Sequence, residues 1–188
     1  MGTYYGEEQG AGRKGLIKMS LLVQKLNRAD GTDIYDFLQQ LPAEENGFLN
    51  TVYGKSFEEY QKWLEGAVKS SERKEIIDGW KVPETVFWLM EDGKPVGYGK
   101  IRHYLTDRLR EEGGNIGYSI LPQKRGKGLG SAFVSLLIGE ADKMGIGELL
   151  FTVKNGNQPS IQAVLSNGGV IERQSEELQY IWVRTRDR

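Results

Sequence analysis

The segment Gln123-Lys124-Arg125-Gly126-Lys127-Gly128-Leu129-Gly130-Ser131 combines three glycines with three cationic side chains. It follows a strand-like run that stops at Pro122 and precedes an apolar, helix-periodic stretch. The first backbone N–H groups of a helix have no internal partner. The helix dipole adds about half a positive charge at that end. Together they form a site for an anion such as a phosphate. Glycines at 126, 128 and 130 remove Cβ atoms, so the backbone can approach a diphosphate closely. Lys124, Arg125 and Lys127 place positive charge beside it.

Spacing discriminates among the phosphate-binding patterns. A P-loop needs Gly-x-x-x-x-Gly-Lys-Ser/Thr, but here Gly126-Lys127 is followed by Gly128. A dinucleotide fingerprint needs Gly-x-Gly-x-x-Gly. Gly126 and Gly128 fit, but the third glycine stands at 130 rather than 131, and no acidic partner follows a strand about 20 residues later. A third pattern, Gln/Arg-x-x-Gly-x-Gly/Ala, is met by Gln123, Gly126 and Gly128. Taken alone, the turn also fits a plain glycine-rich loop without a ligand.

The elements that must position this turn are legible in order. Ile17–Val23 reads as a first strand, followed by a helix capped by Asp30 or Thr32 and ended by Pro42. Ser56-Phe57-Glu58-Glu59 is a capping box opening a helix that carries Tyr60, Trp63, Leu64 and Ala67 on one face. Thr85–Met90 and Pro95–Arg102 flank the turn Glu91-Asp92-Gly93-Lys94 as a hairpin. A short helical excursion over Thr106–Glu112 leads into a third strand, Asn115–Leu121. Gly126–Met144 reads as a helix, Leu149–Val153 as a buried strand, and Ser160–Ser166 as a short helix. Val170–Arg173 and Leu178–Arg184 form a closing hairpin. This order predicts one α/β domain with a mixed sheet over residues 16–188. Residues 1–15 hold five glycines and few apolar groups, the composition of a flexible tail.

Bulk composition narrows the partners. A net charge of −1 with no basic stripe gives no reason to expect nucleic acid. Without cysteine there is no disulfide, no thiolate metal site and no cysteine nucleophile, and a metal is not expected. No apolar run reaches the length of a membrane span, and the N-terminus lacks an apolar signal core. A soluble cytoplasmic protein is the expectation.

The pattern at Gln123, Gly126 and Gly128 resembles the CoA-binding signature of the GNAT superfamily of acyl-CoA N-acyltransferases. The resemblance extends over about residues 84–185. It includes the strand before the signature, the helix after it, Asn157-Gln158-Pro159-Ser160 before a short helix, and the Gly168-Gly169 bend. Ile101–Leu105 and Gly113–Tyr118 resemble a bacterial subgroup of predicted acetyltransferases. The fold so implied is a mixed, mostly antiparallel central sheet with helices on both faces and a splayed parallel strand pair. The activity so implied is transfer of an acetyl group from acetyl-CoA to a primary amine, on a small molecule or a peptide, by direct attack in a ternary complex. A CoA-binding or regulatory protein without catalysis is the alternative, and the resemblance leaves room for a homodimer.

The same resemblance implies site residues. Asn115–Leu121 and Leu149–Val153 would splay to admit the pantetheine arm. Backbone groups of Ser119 and Ile120 would bond it, with an amide near Ile120 or Leu121 polarising the thioester carbonyl. Amides of Arg125, Gly126, Lys127, Gly128, Gly130 and Ser131 would hold the phosphates. Asn157 would bond the arm, and Ser160 would cap the following helix. The amine needs a general base. His103, the single histidine, and Glu111 or Glu112 are the candidates, and Tyr118 lies in the strand itself. Many superfamily enzymes place a proton-donating tyrosine on the short helix where this chain has Val164. Tyr118 or water would then supply that proton.

Overall fold

The turn Asp92-Gly93 shows how local chemistry sets this fold. Asp92 and Gly93 have φ angles of 49° and 79°. Both left-handed positions of a two-residue hairpin turn are thus taken by residues that tolerate them. The flanking strands pair over their full length.

In the computed structural model, residues 2–6, 17–79 and 81–186 are described. In chain order the elements are β1 (Gly2–Gly6), β2 (Ile17–Lys25), α1 (Thr32–Leu38), β3 (Glu44–Glu45), β4 (Phe48–Leu49), α2 (Phe57–Glu72), β5 (Glu84–Glu91) and β6 (Lys94–Arg102). Next come α3 (Asp107–Glu111), β7 (Ile116–Ile120), a 3-10 turn at Pro122–Lys124, α4 (Leu129–Lys143) and β8 (Glu148–Lys154). The chain ends with α5 (Gln158–Leu165), β9 (Val170–Gln174) and β10 (Leu178–Arg184). The tail expected over residues 1–15 lies outside the described residues apart from Gly2–Gly6. The backbone of that segment pairs antiparallel with Ile17–Leu21.

Five strands form an antiparallel sheet in the order β1-β2-β5-β6-β7. A second antiparallel sheet has the order β8-β10-β9. Helices cover both faces. On one face, Gly97 and Gly99 of β6 admit α4 so closely that a Cβ at Gly99 would lie 2.7 Å from Phe133. On the other, Tyr98 meets Phe48, Trp63 and Trp88 with ring centroids 4.9, 6.3 and 5.3 Å apart, beneath α1 and α2. Alternation along β6 therefore sends glycines to α4 and larger side chains to the opposite layer. The mixed α/β architecture expected from the sequence is the one observed.

Three local expectations shift. The first helix is capped by Gly31 without a side-chain bond, and it stops at Leu38, before Pro42. Asp30 instead accepts the Trp88 indole N–H at 2.7 Å and the Asn27 N–H at 3.1 Å. A tertiary partner 58 residues away thus outcompetes the cap. The helix expected from Gly126 begins at Leu129, because Gly126 and Gly128 have φ angles of 76° and 77°, outside the right-handed helical region. The box at Ser56 and Glu59 forms as expected, with both reciprocal bonds present.

Candidate functional site

The two sheets are joined where Asn115, at the start of β7, meets Leu150 of β8. The Asn115 N–H donates to the Leu150 carbonyl at 2.8 Å, and the Leu150 N–H donates to Asn115 Oδ1 at 2.9 Å. A side-chain amide thus takes the place of a ladder carbonyl. Gly114 makes the approach feasible: its φ is 56°, and a Cβ would sit 2.3 Å from the Leu150 oxygen. Beyond this joint β7 and β8 belong to separate sheets. Both run from the joint in the same sense, with Ile116–Ile120 and Phe151–Lys154 lining a cavity of about 1130 Å³. This is a splayed parallel pair.

The register of β7 decides which backbone groups face that gap. The Arg102 N–H donates to the Asn115 carbonyl at 2.8 Å, and the Leu121 N–H donates to the Val96 carbonyl at 2.9 Å. In an antiparallel ladder the bonded residues alternate. Gly117, Ser119 and Leu121 are therefore committed to β6, while Ile116, Tyr118 and Ile120 turn their amides to the gap. This corrects two expectations, because the backbone of Ser119 and the amide of Leu121 are already bonded. The Ile120 carbonyl accepts Arg125 Nε at 2.9 Å, so only its N–H remains for a ligand.

The glycine turn sits at the end of this gap. Gly128 is the N-cap of α4 in a left-handed conformation, and the first bond back to it comes from Ala132. The N–H groups of Leu129, Gly130 and Ser131 consequently have no helical acceptor. Gly126, Gly128, Gly130 and Ser131 line the cavity. Arg125 also lines it, but its N–H is directed to the Pro122 carbonyl at 3.3 Å. The cations are arranged differently from the expectation. Lys124 is paired with Glu91, and Arg125 binds Glu45 through Nη1 at 2.8 Å. Lys127 is exposed and off the cavity lining. What the turn leaves open to a ligand is thus chiefly backbone N–H groups rather than cationic side chains.

Asn157 caps α5, its side chain accepting the Ser160 N–H at 3.4 Å, so the cap expected at Ser160 belongs to Asn157. Ser160 Oγ instead lies 3.1 Å from the Tyr118 hydroxyl. The Tyr118 ring packs edge-on to Phe133, and a Cβ at Gly130 would lie 3.8 Å from it. Burial raises the Tyr118 pKa above the usual phenol value, and the Ser160 hydrogen bond only partly offsets this. Val164 is fully buried.

The candidate bases separate in space. Glu112 lines the cavity and is exposed. Glu111 is ion-paired with Arg173 at 2.9 Å and does not line it. His103 lies elsewhere, in a smaller polar pocket with Arg110, Glu148 and Trp182. Its Nε2 is 2.8 Å from Thr85 Oγ1, and burial is the main cause of a lowered pKa. Sequence reasoning missed Glu45, Phe48, Lys100 and Arg102, which also line the cavity. The one signal available was the pair Lys100 and Arg102, two cations on one face of an otherwise buried strand. Arg102 is structurally engaged, donating from Nη1 to the Gly113 and Gly114 carbonyls at 2.8 and 3.0 Å. Desolvation lowers the pKa of Lys100.

Comparison with known proteins agrees with this geometry. The family described as Acetyltransferase (GNAT) matches residues 50–167, and the chain belongs to that family. The match begins upstream of the region that carried the resemblance in sequence, and takes in α2. No curated protein sequence matches the chain. Solved structures share the fold at low identity. A ribosomal-protein-S5-alanine acetyltransferase from Vibrio fischeri superposes with a TM-score of 0.67 at 14% identity, covering 89% of this chain and 94% of that one. RimL, a ribosomal L7/L12 alpha-N-protein acetyltransferase in complex with coenzyme A, gives a TM-score of 0.65 at 16% identity, over 87% and 93%. The yncA product of Salmonella typhimurium, a putative acetyltransferase with its cofactor acetyl-CoA, gives 0.57 at 18% identity, over 90% and 96%.

Proposed function

We propose that this member of the GNAT acetyltransferase family transfers an acetyl group from acetyl-CoA to a primary amine by direct attack within a ternary complex. The observation that carries the reading is the gap between β7 and β8. It offers amides of Ile116, Tyr118 and Ile120 along one wall, and it ends on the left-handed glycine turn at the start of α4. An extended arm with amide groups fits a strand edge that has unpaired donors and acceptors. A diphosphate fits the free N–H groups of Leu129, Gly130 and Ser131. Gly126 and Gly128 have nothing within 4 Å of a built Cβ, so the backbone there is open to a ligand.

Acetyl-CoA supplies an activated thioester whose carbonyl carbon an amine attacks. The diphosphate end is anchored beyond the C-terminal end of β7, so the thioester is carried toward the start of that strand. Ile116 provides the gap-facing amide there, positioned to hydrogen-bond the carbonyl oxygen as it gains negative charge. Glu112, on the same wall, accepts a proton from the attacking amine, directly or through water. The partly buried Tyr118 hydroxyl, its pKa raised by desolvation, stays protonated at neutral pH and donates to the departing thiolate. It fills the role left open by Val164. Asn157 adds a polar group on the opposite wall.

The acceptor is a small-molecule or peptide amine. A CoA-binding protein without catalysis is the second reading, favoured by the apolar, buried Val164 where an acid is expected. Calorimetry with acetyl-CoA, combined with free-thiol release across a panel of amines, separates the two. Binding with thiol release supports acetyl transfer. Tight binding with no release across the panel supports the second reading, and preference for ATP or NAD over acetyl-CoA overturns both.

A further inference from the structure

Lys100 occupies an unusual position. It lies on the β6 face that carries Tyr98, directly opposite Gly117 of β7. Because Gly117 has no side chain, the Lys100 stem crosses over it. A Cβ at Gly117 would lie 3.5 Å from Lys100 Cε and 3.3 Å from Phe48 Cδ2. The ammonium is thereby delivered to the cavity, 5.7 Å from the centroid of the Phe48 ring. Among the described residues it has no ion pair or hydrogen bond. The nearby carboxylate of Glu84 is shared with Arg102, whose Nε lies 3.9 Å from it.

Other charges on the cavity wall are differently placed. Arg125 is taken by Glu45, and Arg102 holds the Gly113 and Gly114 carbonyls. Glu112 and Lys154 are exposed, whereas Lys100 is partly withdrawn from solvent. An ammonium partly withdrawn from solvent, with its nearest carboxylate Glu84 already shared with Arg102 and no direct ion pair of its own, is costly, and an anionic group arriving beside it recovers part of that cost. Around it, Phe48 and the half-exposed Leu49 from β4 present an apolar wall.

We infer that Lys100 is the anchor for a carboxylate on the acceptor, so that the acceptor is an amino-acid-like amine with an apolar body lying against Phe48 and Leu49. The inference rests on the acetyl-transfer reading. Under it, the acetyl carbon lies near Ile116, next in the strand to the Gly117 that Lys100 crosses. A carboxylate on Lys100 then holds an amine a few bonds away within reach of the thioester.

The test uses three acceptors that differ in one group: phenylalanine, phenylalaninamide and phenethylamine. Wild-type, Lys100→Met and Lys100→Arg proteins are assayed for acetyl-CoA binding, for acceptor binding in the presence of CoA, and for thiol release. In the wild type, phenylalanine has a KM lower than the two analogues without a carboxylate by roughly 10- to 100-fold, the range for a hydrogen bond to a charged group. Lys100→Met abolishes that difference without changing acetyl-CoA affinity, and Lys100→Arg retains most of it. Equal KM values for all three acceptors in the wild type overturn the inference. So does a fall in kcat with Lys100→Met that is the same for every acceptor, since that marks a proton-transfer or structural role. Binding of acetyl-CoA with no binding of phenylalanine overturns the inference and leaves the acetyl-transfer reading standing. Failure to bind acetyl-CoA at all overturns the parent reading. If Lys100→Met does not fold, Lys100→Gln replaces it under the same criteria.

Discussion

Gly128 allows the role of the turn to be tested by a single charge. Its φ and ψ are 77° and −3°, and no atom lies within 4 Å of a Cβ built there. A Cβ at this cavity-lining position therefore meets open space rather than protein. Asn and Asp are the non-glycine residues best suited to left-handed backbone, and they share one shape. Gly128→Asn reports steric obstruction plus a modest backbone cost, about 1–2 kcal/mol at most. Gly128→Asp adds one negative charge. Two unit charges about 4 Å apart near a protein surface interact by roughly 4 kcal/mol. Each 1.4 kcal/mol corresponds to about a tenfold change in affinity, so the unscreened limit is roughly 1,000-fold. Salt reduces the difference, so it should shrink between low and high ionic strength. The assay is calorimetry of CoA against both variants, with thermal melts confirming similar stability. The expected result is a much weaker complex for Asp than for Asn, with the two converging at high salt. Equal CoA affinities for the Asn and Asp variants at low salt would refute the assignment of the diphosphate to this turn.

Three further outcomes follow from the geometry. Tyr118→Phe removes the hydroxyl that bonds Ser160 but keeps the ring contact with Phe133; kcat should fall by roughly 100-fold with acetyl-CoA affinity unchanged, and an unaltered kcat removes Tyr118 as the acid. His103 has a folded pKa below its ordinary 6.5, so its neutral form is the one the fold prefers, and its contribution is present above 6.5 and lost as pH falls through the folded value. Melting temperatures of the wild type should therefore drop below pH 6.5 more steeply than those of His103→Asn, while the pH–rate profiles of the two keep one shape; loss of a limb in the variant would reinstate His103 as a base. Gly99→Ala places a Cβ 2.7 Å from the Phe133 ring and 3.0 Å from Leu137, and overpacking of this kind costs about 1–3 kcal/mol. For a chain of this size that lowers the melting temperature by roughly 2–12 °C, and an unchanged melting curve would mean that α4 shifts freely on β6.

What the sequence determined by itself was whatever depends on neighbours in the chain. The hairpin at Asp92-Gly93, the cap at Ser56 and the strand-turn-helix run around Gly126 and Gly128 all follow from local backbone preferences and apolar periodicity. The spacing of Gln123, Gly126 and Gly128 was enough to direct attention to a family that the chain does belong to. The tertiary structure decided what depends on distant partners. Whether Ser119 or Tyr118 offers its backbone to a ligand is a matter of ladder phase, set by pairing with β6, and a one-residue change of phase would exchange them. Arg125 reads as a free phosphate ligand until Glu45, 80 residues away, is seen to hold it. His103 reads as a base until the fold sets it beside Thr85, in a separate pocket from the gap. Lys100 reads as one more strand lysine until the glycine opposite it, on another strand, opens its path to the cavity. Local propensity fixes the shape of the turn. The free backbone groups and charges around it are settled only when the strands pair.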